Sequence, residues 1–168
     1  MRSKALALGH VLMPLLLAGA ATGCGSFVES DDQVARGTVG QAGGALSLDV
    51  FSLVVPPHAL DHTVTLSVRR ATFDAPSGHA YALDPPEVTF EPTAPATISI
   101  TYDAAVFQHP SEVFVAIFTA AAWHMLPAAG AVEPGVVHAS TTHSGTFGIV
   151  HCPGGVCPTS TPDASADH

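Results

Sequence analysis

The stretch "TTHSGTFGIVHC", Thr141 to Cys152, gathers two histidines, several hydroxyl side chains and a cysteine around a short apolar run. An imidazole beside a hydroxyl is the pairing that activates serine or threonine for attack on a carbonyl. An imidazole with a thiolate is a ligand pair for zinc or copper. His143 adjoins Ser144, His151 adjoins Cys152, and Cys157 follows in "CPGGVC". A metal centre built here would use His143, His151, Cys152 and Cys157, with His138 as a further ligand. The spacings H-x4-H, H-x7-H and C-x4-C match no specific zinc signature. The Pro-Gly-Gly turn inside "CPGGVC" instead folds the two thiols towards each other, so a Cys152–Cys157 disulfide is the expected state, with no metal and no other cofactor. A ring that small contributes about 2 kcal/mol through chain entropy, enough to pin a terminus but not to hold a fold.

Other catalytic arrangements are missing from the sequence. It holds no G-x-S-x-G elbow and no Ser-x-x-Lys. Asp61, Asp84, Glu87, Glu91 and Asp103 fall at expected turns and strand ends, where carboxylates cap and solvate. His58, His62, His79, His109 and His124 are scattered through turns and read as exposed polar residues. The basic pair Arg69-Arg70 ends an expected strand, with Asp74 as its nearest partner. Trp123, the one tryptophan, reads as a core residue, and no row of exposed aromatics suggests a sugar-stacking surface. The protein is therefore expected not to be an enzyme.

The ends of the chain place it. Arg2 and Lys4 precede an apolar run from Ala5 to Ala21 that ends in small residues, the form of a secretion signal. "LAGAATGCGS" resembles a bacterial lipobox, with Ala21, Thr22 and Gly23 leading to Cys24. The resemblance implies cleavage after residue 23 and acylation of Cys24, with several acyl chains giving stable anchoring. Gly25 stands where inner-membrane retention would use aspartate, so the expected location is extracytoplasmic, lipid-anchored in the cell envelope at the outer membrane. Beyond residue 23, Arg36, Arg69 and Arg70 oppose all 14 acids, a net charge of −11, and no lysine remains. Nucleic-acid partners are excluded by that balance, because phosphate affinity needs clustered Lys and Arg; the expected contacts are the membrane, through lipid, and a protein partner.

Residues 24–33 read as a short acidic tether, and the polar, proline-containing end of the 152–168 segment as a disordered tail behind the disulfide. Between them, residues 34–151 suit one domain. "HTVTLSVRRA" alternates Val64, Leu66 and Val68 with Thr63, Thr65, Ser67 and Arg69, and "ATISITYD" alternates Ile98, Ile100 and Tyr102 with Thr97, Ser99 and Thr101. A period of two is that of a strand with one buried face. Val113 to Phe118 is apolar on both faces and predicts an interior strand. Shorter strands are expected at 45–48, 52–55, 88–90, 123–126, 136–139 and 146–150, punctuated by Gly and Pro. The run "FTAAAWHM" is the one ambiguous place, where the alanines suit a helical turn as well as a strand. The pattern as a whole predicts an all-β antiparallel sandwich.

Three blocks resemble the ZU-five domain, a β-sandwich family with bacterial versions in secreted proteins and lipoproteins: "LSLDVFSLVVPPHALDHTVTLSV", "YALDPPEVTFEPTAPATISITYD" and "VFVAIFTAAAWHMLPAAG" with the closing "VVHASTTHSGTFGIV". The resemblance covers residues 37–150. Some members of such folds cut themselves at His-x-Ser or His-x-Thr, and the corresponding histidine here is His143. The reactive position is Gly145, while Ser144 is one residue early and Thr146 one late. Attack on the preceding carbonyl needs the hydroxyl in one register, so self-cleavage is not expected. The expected function is a non-catalytic structural or interaction module.

Overall fold

The period-two segments form strands in the computed structural model, which describes residues 28–31 and 34–157. Among these residues the strands are β1 (Val28–Asp31), β2 (Val34–Val39), β3 (Gly44–Leu48), β4 (Phe51–Val55), β5 (Val64–Ala75), β6 (Gly78–Asp84), β7 (Ala96–Thr101), β8 (Val113–Thr119), β9 (Ala122–Met125), β10 (Val136–Thr141) and β11 (Thr146–His151). Two antiparallel sheets result, one of seven strands in the order β1-β2-β5-β6-β11-β8-β9 and one of four in the order β10-β7-β4-β3. The leader, Cys24 and the tail from Pro158 lie outside the described residues.

Alternation decides which side chains enter the space between the sheets. Leu66 and Val68 of β5 point inward, as do Ala96, Ile98 and Ile100 of β7, while Thr65, Arg69 and Thr101 are exposed. Phe51 on β4 stacks on Tyr81 of β6 with ring centroids 5.3 Å apart and meets Phe147 of β11 at 6.3 Å. These three rings join the two sheets at their middle, and Leu46, Leu53, Leu66, Ile98 and Phe90 pack around them. β8 is flanked by β11 and β9 and buries both faces, as its continuous apolar run requires.

Several expectations are corrected. Val88 to Phe90 is not a strand: it touches the rest of the fold through an isolated bridge from Thr89 to His143 and a Phe90 N–H bond to the Thr142 carbonyl. Val88 and Phe90 are nonetheless buried, so the segment plugs one end of the sandwich. The alanines after Phe118 make no helical turn. Ala120 and Ala121, both with positive φ (51° and 64°), form a two-residue hairpin loop between Thr119 and its partner Ala122. Within the segment 24–33 read as a tether, Val28–Asp31 pairs with β2 as an edge strand. β2 and β6 were not among the expected strands; β6 places Ala80, Tyr81, Ala82 and Leu83 in buried positions on both faces and so shows no alternation.

Trp123 is core of a different kind from that expected. It lies half-buried on the outer face of the larger sheet, packed with Ala116, Val150, Cys152, Phe114 and Cys157. Phe118 and Phe73 stand 5.3 and 6.3 Å from it. The rings are inclined to one another by 54° to 62°, so they pack against each other and present no flat stacking surface. Gly148 lies beneath: a Cβ there would collide with the Ala75 methyl and come within 3.2 Å of the indole.

Gly148→Ala is expected to lower stability by about 1–3 kcal/mol through overpacking, read as a fall in the denaturation midpoint. The opposite sign is expected at the hairpin loop, where replacing Ala120-Ala121 by Asn-Gly relieves two left-handed alanines and should raise stability by about 1 kcal/mol in the same measurement.

Candidate functional site

His143 sits in the connection from β10 to β11, beside a groove of about 630 Å³ walled by Pro86, Pro92, Pro95 and Pro127. The connection is built as a hydroxyl-capped turn. The Thr141 hydroxyl donates to the His143 carbonyl at 2.7 Å, and the His143 N–H donates back to Thr141 Oγ1 at 3.2 Å. Such local side-chain bonds replace ladder bonds where a strand ends.

Ser144, the hydroxyl residue that follows His143, is 5% exposed. Its Oγ donates to the Pro85 carbonyl at 2.7 Å and accepts from the Val88 N–H at 3.0 Å. Both bonds run to the plug segment, so this serine fastens the end of the sandwich. A hydroxyl whose proton is already held by a carbonyl has no base to surrender it to, and His143 is exposed and is not bonded to it. Gly145 leaves space for the Ile117 side chain, whose Cδ1 would lie 3.0 Å from an added Cβ. Thr146 begins β11, paired with Phe118 and Ala82.

The proposed ligand set is not brought together. His143 and His151 stand at opposite ends of β11. His138 points from β10 towards Ser99, its Nδ1 2.7 Å from the hydroxyl oxygen. Cys152 and Cys157 are joined as a disulfide with an S–S distance of 2.02 Å. Among the described residues no three or more His, Cys, Asp or Glu side chains group as metal ligands.

Glu112 holds the disulfide loop in place: its carbonyl accepts the Cys152 N–H at 2.8 Å, its Oε1 accepts the Gly154 N–H at 2.9 Å, and its Oε2 lies 3.5 Å from His151 Nε2. Met125 Sδ rests 3.2 Å from Cys157 Sγ. The clasp thus ties the chain after β11 to the start of β8 and the end of β9.

The arginine pair has other partners than Asp74. Arg69 reaches Asp84 at 3.1 Å and Arg70 reaches Asp49 at 2.5 Å, while Asp74 takes His79. Asp49 sits in the β3–β4 turn at φ 56°, a conformation that aspartate tolerates. Its Oδ2 also accepts the Tyr81 hydroxyl at 3.2 Å. The Arg70 hydrogen bond holds the Asp49 carboxyl below its ordinary value. Burial, reinforced by the Asp49 charge, pushes the Tyr81 phenol up. Neither arginine's partner could be read from spacing, since 15 residues separate Arg69 from Asp84 and 21 separate Arg70 from Asp49.

Ser144→Ala strands the Val88 N–H and the Pro85 carbonyl in a buried site, and is expected to cost about 1–3 kcal/mol of stability in chemical denaturation. The intact mass of the chain should be unchanged in kind by that substitution, with no pair of fragments meeting near His143 before or after it. No protein-family model matches this chain, and no curated protein matches it.

Proposed function

We propose that the protein is an extracytoplasmic lipoprotein, anchored through Cys24, that displays a ZU-five-like β-sandwich as a non-catalytic interaction module. The observation that carries this reading is the Cys152–Cys157 disulfide. A disulfide persists in an oxidising compartment, outside the cytoplasm. The basic and apolar leader and the small residues before Cys24 supply the route of export and the anchor.

The interaction role draws support from how the reactive side chains are used. Ser144 and Thr141 hold turns, and the cysteine pair closes a loop. The concave surface that remains at this end is the proline-walled groove, formed by turn loops on a rigid sandwich. Proline walls lose little conformational freedom when a partner docks, which favours binding by pre-formed shape. The acidic domain would not adhere to anionic lipid by charge, so the acyl group does the anchoring. Gly25 after the acylated cysteine directs the protein to the outer membrane.

Cys24→Ser is expected to move the protein from the membrane fraction to the soluble extracytoplasmic fraction, as read by fractionation and by loss of the acyl mass. A Cys24→Ser protein that stays in the membrane fraction would overturn the anchor.

A further inference from the structure

Beyond residue 23 the sequence holds a single methionine, Met125. It closes β9, the edge strand of the larger sheet, and stands opposite Ala116 while Trp123 stands opposite Phe118. Alternation therefore puts Met125 on the same outer face as the indole. Its thioether meets both halves of the clasp: Sδ lies 3.2 Å from Cys157 Sγ and 3.8 Å from Cys152 Sγ. Met125 is 52% exposed, whereas Cys152 is wholly buried and Cys157 half-buried. One side chain is thus open to solutes and seated on the disulfide at once. Glu112 holds the loop by its backbone, through the Cys152 and Gly154 N–H groups. Met125 holds it by its sulfurs.

We propose that Met125 is an oxidation site that controls the clasp: conversion of its thioether to the sulfoxide releases the side chain from the disulfide and opens Cys152–Cys157 to reduction. The oxidant is a peroxide or another two-electron oxygen donor. Its O–O bond breaks, an S–O bond forms on Met125, the thioether sulfur gives up two electrons, and the peroxide departs as water. The product is a polar side chain in a place that had an apolar one. A disulfide has no proton to offer the new oxygen, so the sulfoxide is better satisfied in water, which Met125 already reaches. Once it swings away, the loop from Pro153 to Cys157 keeps only its backbone bonds to Glu112. Cys157, the less buried sulfur, is the one that an external thiolate attacks. A mixed disulfide forms there, Cys152 leaves as a thiolate and takes up the proton that the attacking thiol gave up, and a second thiol completes the exchange. An oxidant thereby primes the clasp for a later reductant.

The test treats the full chain as isolated with hydrogen peroxide and follows it by intact mass and peptide mapping. Met125 is expected to gain one oxygen at doses that oxidise free methionine. Dithiothreitol should then reduce Cys152–Cys157 several-fold faster than in the untreated protein, read by alkylation of the freed thiols, and Trp123 fluorescence should shift to the red as the outer cluster opens. Methionine sulfoxide reductases A and B, one for each sulfoxide epimer and supplied pre-reduced without free thiol, should restore the slow rate. Met125→Leu keeps the apolar volume but accepts no oxygen, so its clasp should be reduced slowly with or without peroxide. Met125→Gln, which sets a polar amide on the disulfide, should be reduced quickly without any oxidant. The peroxide and reductase arms use the natural chain and do not depend on a variant that folds. A Met125 left unoxidised at those doses, a reduction rate unchanged by its oxidation, or an acceleration by peroxide that persists in Met125→Leu would overturn the proposal.

Discussion

Phe51 is the residue on which the two sheets agree. It stands on the smaller sheet, stacks on Tyr81 and meets the tilted ring of Phe147 on the larger one, so the spacing of the sheets and the placing of β6 beside β11 both depend on its ring. Burying three aromatic side chains in one contact supplies several kcal/mol, more than any exposed ion pair here could. It also sets a constraint. Tyr81 carries a hydroxyl that needs a partner once its ring is buried. Asp49 meets that need from the β3–β4 turn just before Phe51, and Arg70 from β5 neutralises Asp49. The central aromatic stack therefore determines which turn residue and which arginine sit at the rim.

The opposite end is closed by a polar device. Residues 85–90 carry Val88 and Phe90 into the core without forming a strand, and their backbone groups must find partners elsewhere. Ser144 answers for two of them, and the Ser144 N–H and the Thr142 carbonyl answer for two more. A serine in this role is fixed in place by the plug it holds. The histidine before it gains no hydroxyl to activate, whatever the order of residues suggests. The Ser144 hydroxyl of "THSGT" is taken up by the plug.

Sequence makes strands legible where one face is wet. β5 and β7 alternate because Thr, Ser and Arg face solvent while Leu, Val and Ile face the other sheet, and β8 is legible as an apolar run. β6 defeats the same reasoning, since neighbours cover both its faces and "AYAL" shows no period. The segment 88–90 was expected as a strand and is not one, although Val88 and Phe90 are buried, because the prolines around them remove backbone donors that a ladder needs. The Arg69 and Arg70 partners were misread for another reason. Asp74 is close in sequence, but the register of β5 against β6 sets Asp74 opposite His79 and Arg69 opposite Ala82, so that Arg69 reaches Asp84 on the diagonal. The disulfide was legible because its turn is local.

The unequal sizes of the sheets explain the outer aromatic cluster and the position of the clasp. Seven strands cannot be covered on their inner face by four and left bare on the other, because β8 and β11 carry Ala116 and Val150 outward as well as Val115 and Ile149 inward. Phe73, Phe118 and Trp123 lie over that outer face, and Gly148 is small so that the indole can approach. The chain then leaves β11 across the same surface, where Cys152 is wholly buried and Cys157 packs against the cluster. A short disulfide here has little loop entropy to remove, but it holds Cys152 down on Met125 and the tryptophan cluster. It acts as a lid on a small second core, which is why a five-residue separation suffices.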